Sequence, residues 1–224
     1  MFVGHYAVAF AARTVPKSPN LAICFVAVQL VDIGFFSLAY FGIEKWRPDP
    51  AITGITPVDL YFMPYTHSLA GSAAWALAAG ALAAAIVARD RKLIAGALVA
   101  ALVFSHWLLD LVVHRPDLGI FDDEPVKLGF GLWDWPRIEM PLEIGLLLGG
   151  FWLYMRATRA RTGWGRWSPW LLLGYLLVIQ SINWFSAPPQ GAAAFSGLGL
   201  LAYAASAAFA YWVERTRADR LGWE

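Results

Sequence analysis

Residues 105–115 read SHWLLDLVVHR, and in this stretch His106, Asp110 and His114 follow one another at intervals of four positions. On an α-helix a step of four residues advances about 40° around the axis and about 6 Å along it, so the three polar side chains form one narrow stripe. The positions between these three residues are apolar, as is the preceding segment, residues 93–104. Ionisable side chains are costly inside such an apolar helix, and in a membrane protein they mark a functional site.

The composition of the whole chain predicts that this helix lies in a membrane. Of the 224 residues 59% are hydrophobic and 15% are charged, and the mean hydropathy is +0.54. A soluble domain of this length could not bury so much apolar surface, so we predict an all-α, polytopic membrane protein surrounded by the lipid bilayer. The net charge of +1 gives no indication of a nucleic-acid partner. The single cysteine, Cys24, excludes an intrachain disulfide and a cysteine-rich zinc site.

The apolar segments predict about six membrane-spanning helices and one shorter helix, within a single domain that covers residues 1–224. Residues 2–12 are too few to cross the bilayer and predict a short N-terminal re-entrant or interfacial helix. The six spans are predicted at residues 21–43, 67–88, 93–114, 140–155, 167–185 and 192–213. Residues 44–66 form a loop, in which residues 58–63 are compatible with an interfacial helix.

The distribution of Lys and Arg among the loops indicates an orientation. Basic residues collect in four segments that fall on one side when six spans are counted: residues 13–17, 89–92, 156–166 and 215–220. The loops on the other side are longer and include an acidic run at residues 122–124. Because cytoplasmic loops are enriched in Lys and Arg, we predict that both termini are cytoplasmic and that the long loops face outward.

Polar residues within the apolar segments predict a metal site. The four histidines of the chain lie in or at the edge of these segments: His5, His67, His106 and His114. Imidazole nitrogen and carboxylate oxygen are good ligands for zinc and similar divalent ions. His106 and Asp110, one helical turn apart, can hold one ion from a single helix. Asp32, in the first span, and His67 and His5 would supply further ligands from other helices.

Two more residues are candidates for the catalytic chemistry. His114 lies one turn beyond Asp110 and could bind a second ion, since hydrolytic two-metal sites place their ions about 3.5–4 Å apart. Glu143 enters the fourth span from the same side and is a candidate general base that orients water. Simpler interpretations also stay open: the histidines as helix caps or headgroup contacts, and Glu143 as an ion-pair partner of Arg137 or Arg115.

Four motifs together resemble a known family. They are Gly4-His5 near the N-terminus, Asp32 in the first span, YTHS at residues 65–68 and Ser-His-x3-Asp-x3-His at residues 105–114. The combination resembles the membrane-bound metal-dependent hydrolases of the bacterial inner membrane, the DUF457 group, related to the LexA-regulated inner-membrane hydrolases. The resemblance covers the first half of the chain and implies metal-ligand roles for His5, Asp32, His67, His106 and Asp110. Through that family's distant similarity to zinc-dependent phospholipase C, it also implies a lipid or phosphoester substrate.

These observations favour a membrane-embedded hydrolase that uses zinc or another divalent metal. It would act on a lipid or lipid-linked small molecule from the outer leaflet of the inner membrane. Three other functions stay open. The polar residues could line an ion or proton path of a small permease, although the internal repeats that many transporters have are not visible. Two histidines could be axial ligands of haem, or the site could bind metal without turnover in a subunit of a membrane complex.

Overall fold

The computed structural model describes residues 1–87, 91–121, 126–187 and 189–220. Within these ranges the chain is mostly helical. Its helices are α1 (His5–Ala12), α2 (Leu21–Val28), α3 (Leu30–Tyr40), α4 (Leu69–Ile86), α5 (Lys92–Val113), α6 (Pro136–Ala157), α7 (Ser168–Phe185) and α8 (Ala192–Thr216). The predicted basic position Arg89 and the acidic run at residues 122–124 lie outside the described ranges.

Four of these helices, α4, α5, α6 and α8, are long and apolar enough to cross a membrane. The pair α2 and α3 makes a fifth candidate span, which is bent by 54°. The 18-residue helix α7 carries Gln180 and Asn183, and it is not among the candidates found within the described residues. The chain thus has the four to five long apolar helices that suit a helical membrane protein, and the number of six spans stays a prediction.

The predicted first span, residues 21–43, is not one continuous helix. It breaks at Gln29, whose backbone leaves the helical conformation with φ −108° and ψ 6°. The buried side chain of Gln29 donates from Nε2 to the carbonyl of Phe2 at 3.0 Å, a contact that holds the break in place. Val28 becomes the last residue of α2, and the last carbonyls of a helix have no partner within it. The carbonyl of Val28 is therefore free to bind another helix.

The short helix α1 lies inside the helix bundle, packed against α2, α5 and α6. Tyr6 and Phe10 are fully buried in the apolar core. Gly150 of α6 allows the close approach of α1, because a Cβ atom at this position would lie 2.3 Å from the carbonyl oxygen of Ala7. Residues 2–12 thus place their helix in the interior of the bundle, and whether it is re-entrant or interfacial in a membrane stays a prediction.

Three short antiparallel strand pairs complete the described fold. They are β1 (Lys45–Pro48) with β2 (Val58–Phe62), β3 (Leu118–Gly119) with β4 (Lys127–Leu128), and β5 (Thr158–Ala160) with β6 (Arg217–Asp219). The expectation of an interfacial helix at residues 58–63 is therefore wrong. Val58, Leu60 and the aromatic residues Tyr61 and Phe62 suit a strand, and β1 pairs with one edge of it.

The strand pairs and ion pairs group the loops at the two ends of the bundle. At one end, the backbone N–H of Ala70 donates to the carbonyl of Ile120, which joins the first turn of α4 to the loop after α5. At the other end, Arg13 contacts Glu214 at 2.9 Å and Asp219 at 2.8 Å. The N-terminal turn, the loop between α6 and α7, and the tail therefore lie together at one end of the bundle. Their position on the cytoplasmic side of a membrane stays a prediction.

Candidate metal centre

Six of the seven side chains proposed from the sequence meet inside the bundle, where α1, α3 and α5 approach the start of α4. They are His5, Asp32, His67, His106, Asp110 and His114. Asp110 lies in the middle, with its Oδ1 3.2 Å from Nε2 of His5. Its Oδ2 lies 3.0, 3.7 and 3.8 Å from the Nε2 atoms of His106, His67 and His114. All four histidines of the chain thus direct Nε2 toward one buried carboxylate.

Asp32 supplies a second carboxylate from the first turn of α3. Its Oδ1 lies 3.2 Å from Nε2 of His67 and 3.5 Å from Nε2 of His106. Its Oδ2 accepts a hydrogen bond of 2.7 Å from the hydroxyl of Tyr203 in α8, which fixes the carboxylate in place. One oxygen of Asp32 is therefore hydrogen-bonded to Tyr203, and the other faces the imidazole nitrogens of His67 and His106.

The outer nitrogens of two histidines are held by hydrogen-bond acceptors. Nδ1 of His106 lies 2.7 Å from the carbonyl of Val28, and a carbonyl only accepts, so Nδ1 carries the proton. Nδ1 of His67 lies 2.8 Å from the hydroxyl of Thr66, which donates its own proton to Glu44 and so accepts from the imidazole. In the neutral form of each ring, Nε2 then presents its lone pair to the two carboxylates.

His114 follows the same pattern at the end of α5. Its Nδ1 lies 2.8 Å from Oδ1 of Asp117, and its ring packs against Trp133 with 4.1 Å between centroids. Arg115, one of the two suggested ion-pair partners of Glu143, instead contacts Asp117 and Asp59. An aspartate thus orients His114, and Nε2 of His114 faces Asp110.

The distances in this cluster match those expected around a metal ion. Two sets of side chains place their ligand atoms within 4.8 Å of one another, His5 with His106 and Asp110, and Asp32 with His67 and His106. Zinc bound tetrahedrally at about 2.0–2.1 Å separates its ligand atoms by about 3.3 Å. The contacts of 3.0 to 3.8 Å between nitrogen and oxygen atoms bracket that separation. The cluster can therefore hold a divalent ion without a large rearrangement.

Unpaired nitrogen atoms distinguish this cluster from a set of simple His–Asp hydrogen bonds. Nε2 of His106 and both ring nitrogens of His5 are buried, and within the described structure they have no hydrogen-bond partner. Nε2 of His106 lies only 3.0 Å from Oδ2 of Asp110, but not in hydrogen-bonding geometry. Buried polar atoms without partners are costly and uncommon. A cation between the imidazole and the carboxylate would satisfy both groups.

Glu143 lies at the edge of the cluster and has a different set of contacts. Its Oε1 accepts from the backbone N–H groups of Phe2 and Gly4 at 2.6 and 3.0 Å. Its Oε2 accepts from Nε2 of Gln180 in α7 at 2.8 Å. These bonds fix the segment that carries His5. The structure therefore gives Glu143 a positioning contact, and its suggested role as a general base stays a prediction.

The loop that precedes α4 extends beyond the predicted start of the second span at residue 67. The helix begins at Leu69, and Ser68 is its cap, with a side chain that accepts from the N–H of Gly71. Thr66 links His67 to Glu44. Glu44 also accepts from backbone N–H groups of the same loop, and burial raises the pKa of its carboxyl above the ordinary value of 4.5 despite these bonds.

Two other functional contacts were not predicted from the sequence. Asp117 lies three residues after His114, a spacing that could have indicated the pair. Tyr203 gives no such signal, because a lone tyrosine in an apolar helix looks like a packing or interface residue. Only the approach of α8 to α3 brings its hydroxyl to Asp32.

A cavity of about 590 Å³ adjoins the cluster. Five ionisable side chains of the cluster and its edge line it: Asp32, His67, Asp110, His114 and Glu143. Most of the remaining wall is apolar and comes from α3, α7, α8 and the loop that holds β2. A small molecule could therefore reach the cluster with one polar end and place its other end among hydrocarbon side chains.

Comparison with known proteins adds no relative: no family model, curated protein or solved structure matches the chain. The resemblance of the sequence motifs to the inner-membrane hydrolases therefore stays a prediction. The described residues hold buried His and Asp groupings that could bind a metal ion, in a chain of long apolar helices.

Proposed function

We propose that the protein is a membrane-embedded metal-dependent hydrolase with zinc or a similar divalent ion at this centre. The observation that carries the proposal is the orientation of the three imidazoles at positions 67, 106 and 114. Each holds Nδ1 on an outer acceptor and directs Nε2 inward, next to a large cavity. Metal-binding histidines nearly always have such an outer partner, which sets the tautomer and the ring orientation.

The ligands of the ion would be Asp32, His67, His106 and Asp110, with His5 beside them. A bound divalent ion lowers the pKa of its water ligand to about 7 and polarises a carbonyl or phosphoryl oxygen. His114 lines the cavity and is oriented by Asp117, so it is placed to transfer a proton to or from a reacting molecule. Such a site could hydrolyse a lipid or phosphoester-type substrate at neutral pH.

The proposed location is the bacterial inner membrane, with six spans, and with the turn at residues 13–17 and the C-terminal tail in the cytoplasm. The amino group of Met1 lies inside the bundle, 2.9 Å from Oδ1 of Asp110, so the cytoplasmic segment near the N-terminus is this turn and not Met1 itself. The grouping of Arg13 with Glu214 and Asp219 at one end of the bundle supports this arrangement. His114 lies toward the opposite end, with the loops at residues 44–66 and 115–121. The substrate would then be a lipid or lipid-linked molecule reached from the outer leaflet.

Elemental analysis of the purified protein, together with an ester and phosphoester hydrolysis screen, tests the proposal. Wild type should carry a stoichiometric divalent metal, and Asp32→Asn should lose it, because the amide removes a charge that the ion requires. Asp219→Asn is the matched control, since it breaks an ion pair at the other end of the bundle. Wild-type protein without metal after supplementation with zinc or manganese would overturn the proposal. Metal without hydrolysis would leave a non-catalytic metal-binding subunit.

A further inference from the structure

We infer that the substrate is an uncharged carboxylic ester or amide with a long hydrocarbon chain, which lies in the cavity between α3, α7 and α8. The inference rests on the proposed hydrolase function and narrows its substrate. It follows from three observations: the apolar wall of the cavity, its opening toward the outer surface of the bundle, and the charges around its polar end.

The shape and lining of the cavity suit a hydrocarbon chain. Its volume of about 590 Å³ lies within the roughly 300–1,000 Å³ of typical ligand sites. Starting from Asp32, the wall is formed by Phe35 and Phe36 of α3, Ile179 of α7 and Ala202 of α8. Burial of apolar surface against such side chains stabilises a complex by roughly 25 cal/mol per Å². An alkyl chain gains from this wall, whereas a polar ligand of the same size would lose its hydration.

The cavity opens between α7 and α8. Ile182, Leu198 and Leu201 line it, and their side chains are 57%, 56% and 64% exposed on the outer surface of the bundle. In a chain of membrane-spanning helices, this surface faces lipid acyl chains. A substrate with a hydrocarbon chain can therefore enter from the bilayer without passing through water.

The charges at the polar end favour an uncharged reacting group. Three carboxylates line the cavity, Asp32, Asp110 and Glu143, and no Lys or Arg does so among the described lining residues. A divalent ion and the amino group of Met1, 2.9 Å from Oδ1 of Asp110, would balance the three. A phosphate would add negative charge without the guanidinium partners that usually bind it, and the ammonium of Met1 already pairs with Asp110. Arg115 is not free for this purpose, since it contacts two aspartates.

The reaction consumes one water molecule for each ester or amide bond. The water oxygen bonds to the carbonyl carbon, and the bond from that carbon to the alcohol oxygen or amine nitrogen breaks with its electron pair. One water proton is transferred to this leaving atom, and the other stays with the carboxylic acid product until it ionises. His114 lines the cavity and is placed to carry the transferred proton.

Binding of a neutral chain to the metal-free protein tests the cavity. The probe is a pyrene-labelled long-chain methyl ester, added to chelator-treated protein in detergent. Ala202→Phe fills the cavity and should weaken binding at least about tenfold, or about 1.4 kcal/mol. Ala204→Phe is the matched control, because it adds the same ring to an exposed position of α8 outside the cavity lining, and its affinity should stay within about twofold of wild type.

A second cavity variant covers the case in which the first one does not fold. If Ala202→Phe lowers the yield of folded protein, Ala205→Phe at another cavity position replaces it. Equal affinity in the cavity and control variants would overturn the hydrocarbon site. Because the probe binds without metal, this result is independent of metal content. Wild-type protein without metal would overturn the proposed function and the substrate inferred from it, but not the hydrocarbon site.

Competition in the zinc-loaded protein tests the reacting group. A long-chain methyl ester and a monoalkyl phosphate of the same chain length each displace the probe. The ester should act at a concentration about tenfold lower, equivalent to about 1.4 kcal/mol. A phosphate that competes as well as the ester, or better, would overturn the uncharged substrate and favour a phosphoester instead.

Discussion

The two ends of the helix bundle bury charged side chains in different ways. At one end Arg13 contacts Glu214 and Asp219, and Arg217 donates to Thr158 and the carbonyl of Gly165. We call this group the clasp. At the metal centre, by contrast, imidazole nitrogens of His5 and His106 have no hydrogen-bond partner in the described structure.

We expect this difference to separate a structural role of the clasp from the proposed functional role of the metal centre. Burial and charge are common to both groups, so neither property identifies a site. The clasp pairs both terminal nitrogens of each arginine with acceptors, leaves Nε of Arg13 without one in the described structure, and joins three chain segments. The centre leaves ligand atoms unsatisfied and opens to a cavity. The following predictions test whether the two groups can be disrupted separately.

The largest effect is expected for Asp110→Asn. Four imidazole nitrogens lie within 3.8 Å of this carboxylate, so its loss should lower metal affinity by more than the roughly 10–100-fold caused by changing outer partners. Isothermal titration with zinc measures the change. Binding at the wild-type affinity would show that Asp110 is not a ligand.

A change in the clasp should lower the stability of the protein and leave its metal content unchanged. Arg13→Ala leaves Glu214 and Asp219 without their partner, and it should reduce the free energy of unfolding by about 3 kcal/mol. This figure is the lower end of the range for buried pairs, because both carboxylates are about one fifth exposed. Denaturant titration in detergent measures the loss. Metal content per folded molecule should stay at the wild-type value, and its loss would show that the two groups are coupled.

The metal centre and the clasp each contain a buried threonine, so the same change, Thr to Val, can be made in both groups. Thr66→Val removes the hydroxyl between His67 and Glu44 and should lower zinc affinity about 10–100-fold. Thr158→Val removes an acceptor of Arg217 in the clasp and should cost about 1–3 kcal/mol of stability with zinc affinity unchanged. Titration and thermal unfolding of both variants check the two effects. Identical profiles for the two variants would contradict the separation.

The smallest predicted effect is on the pH dependence of folding stability. Burial raises the pKa of Glu44, so the folded state binds a proton more tightly than the unfolded state. The contribution of this group to stability is therefore greatest below the ordinary value of 4.5 and declines as the pH rises toward the folded pKa. In Glu44→Gln this part of the decline should be absent. The melting temperatures of wild type and Glu44→Gln, measured from pH 4 to 8, test this expectation. Parallel curves for the two proteins would contradict it.

Sequence reasoning was most successful where local geometry decides the outcome. The spacing of His106, Asp110 and His114 already places three side chains on one face of a helix. Asp32 and His67 required only the expectation that buried polar groups gather. The structure brings all five together, although the break of the first span at Gln29 was not foreseen. The apolar run on both sides of Gln29 looks continuous, and the break depends on a contact with Phe2 that the sequence does not reveal.

The remaining contacts depend on distant parts of the chain. Two partners of Glu143 are backbone groups more than 130 positions away, and the third is the side chain of Gln180 in α7. Local reasoning could suggest only nearby arginines. Tyr203 reaches Asp32 across 171 positions. Such pairings follow from how helices pack, so they can be read only from the assembled fold.

The break at Gln29 also has an electrostatic consequence. It creates a new helix N-terminus in the interior of the bundle, and Asp32 lies in the first turn of that helix. The aligned peptide dipoles of α3 direct their positive end toward the carboxylate, which is worth about 0.3–1 kcal/mol and up to about 2 kcal/mol where partly buried. A straight helix would place Asp32 in mid-helix without this field. The interruption that looks like a defect in the span thus helps to keep a charged ligand stable in an apolar interior.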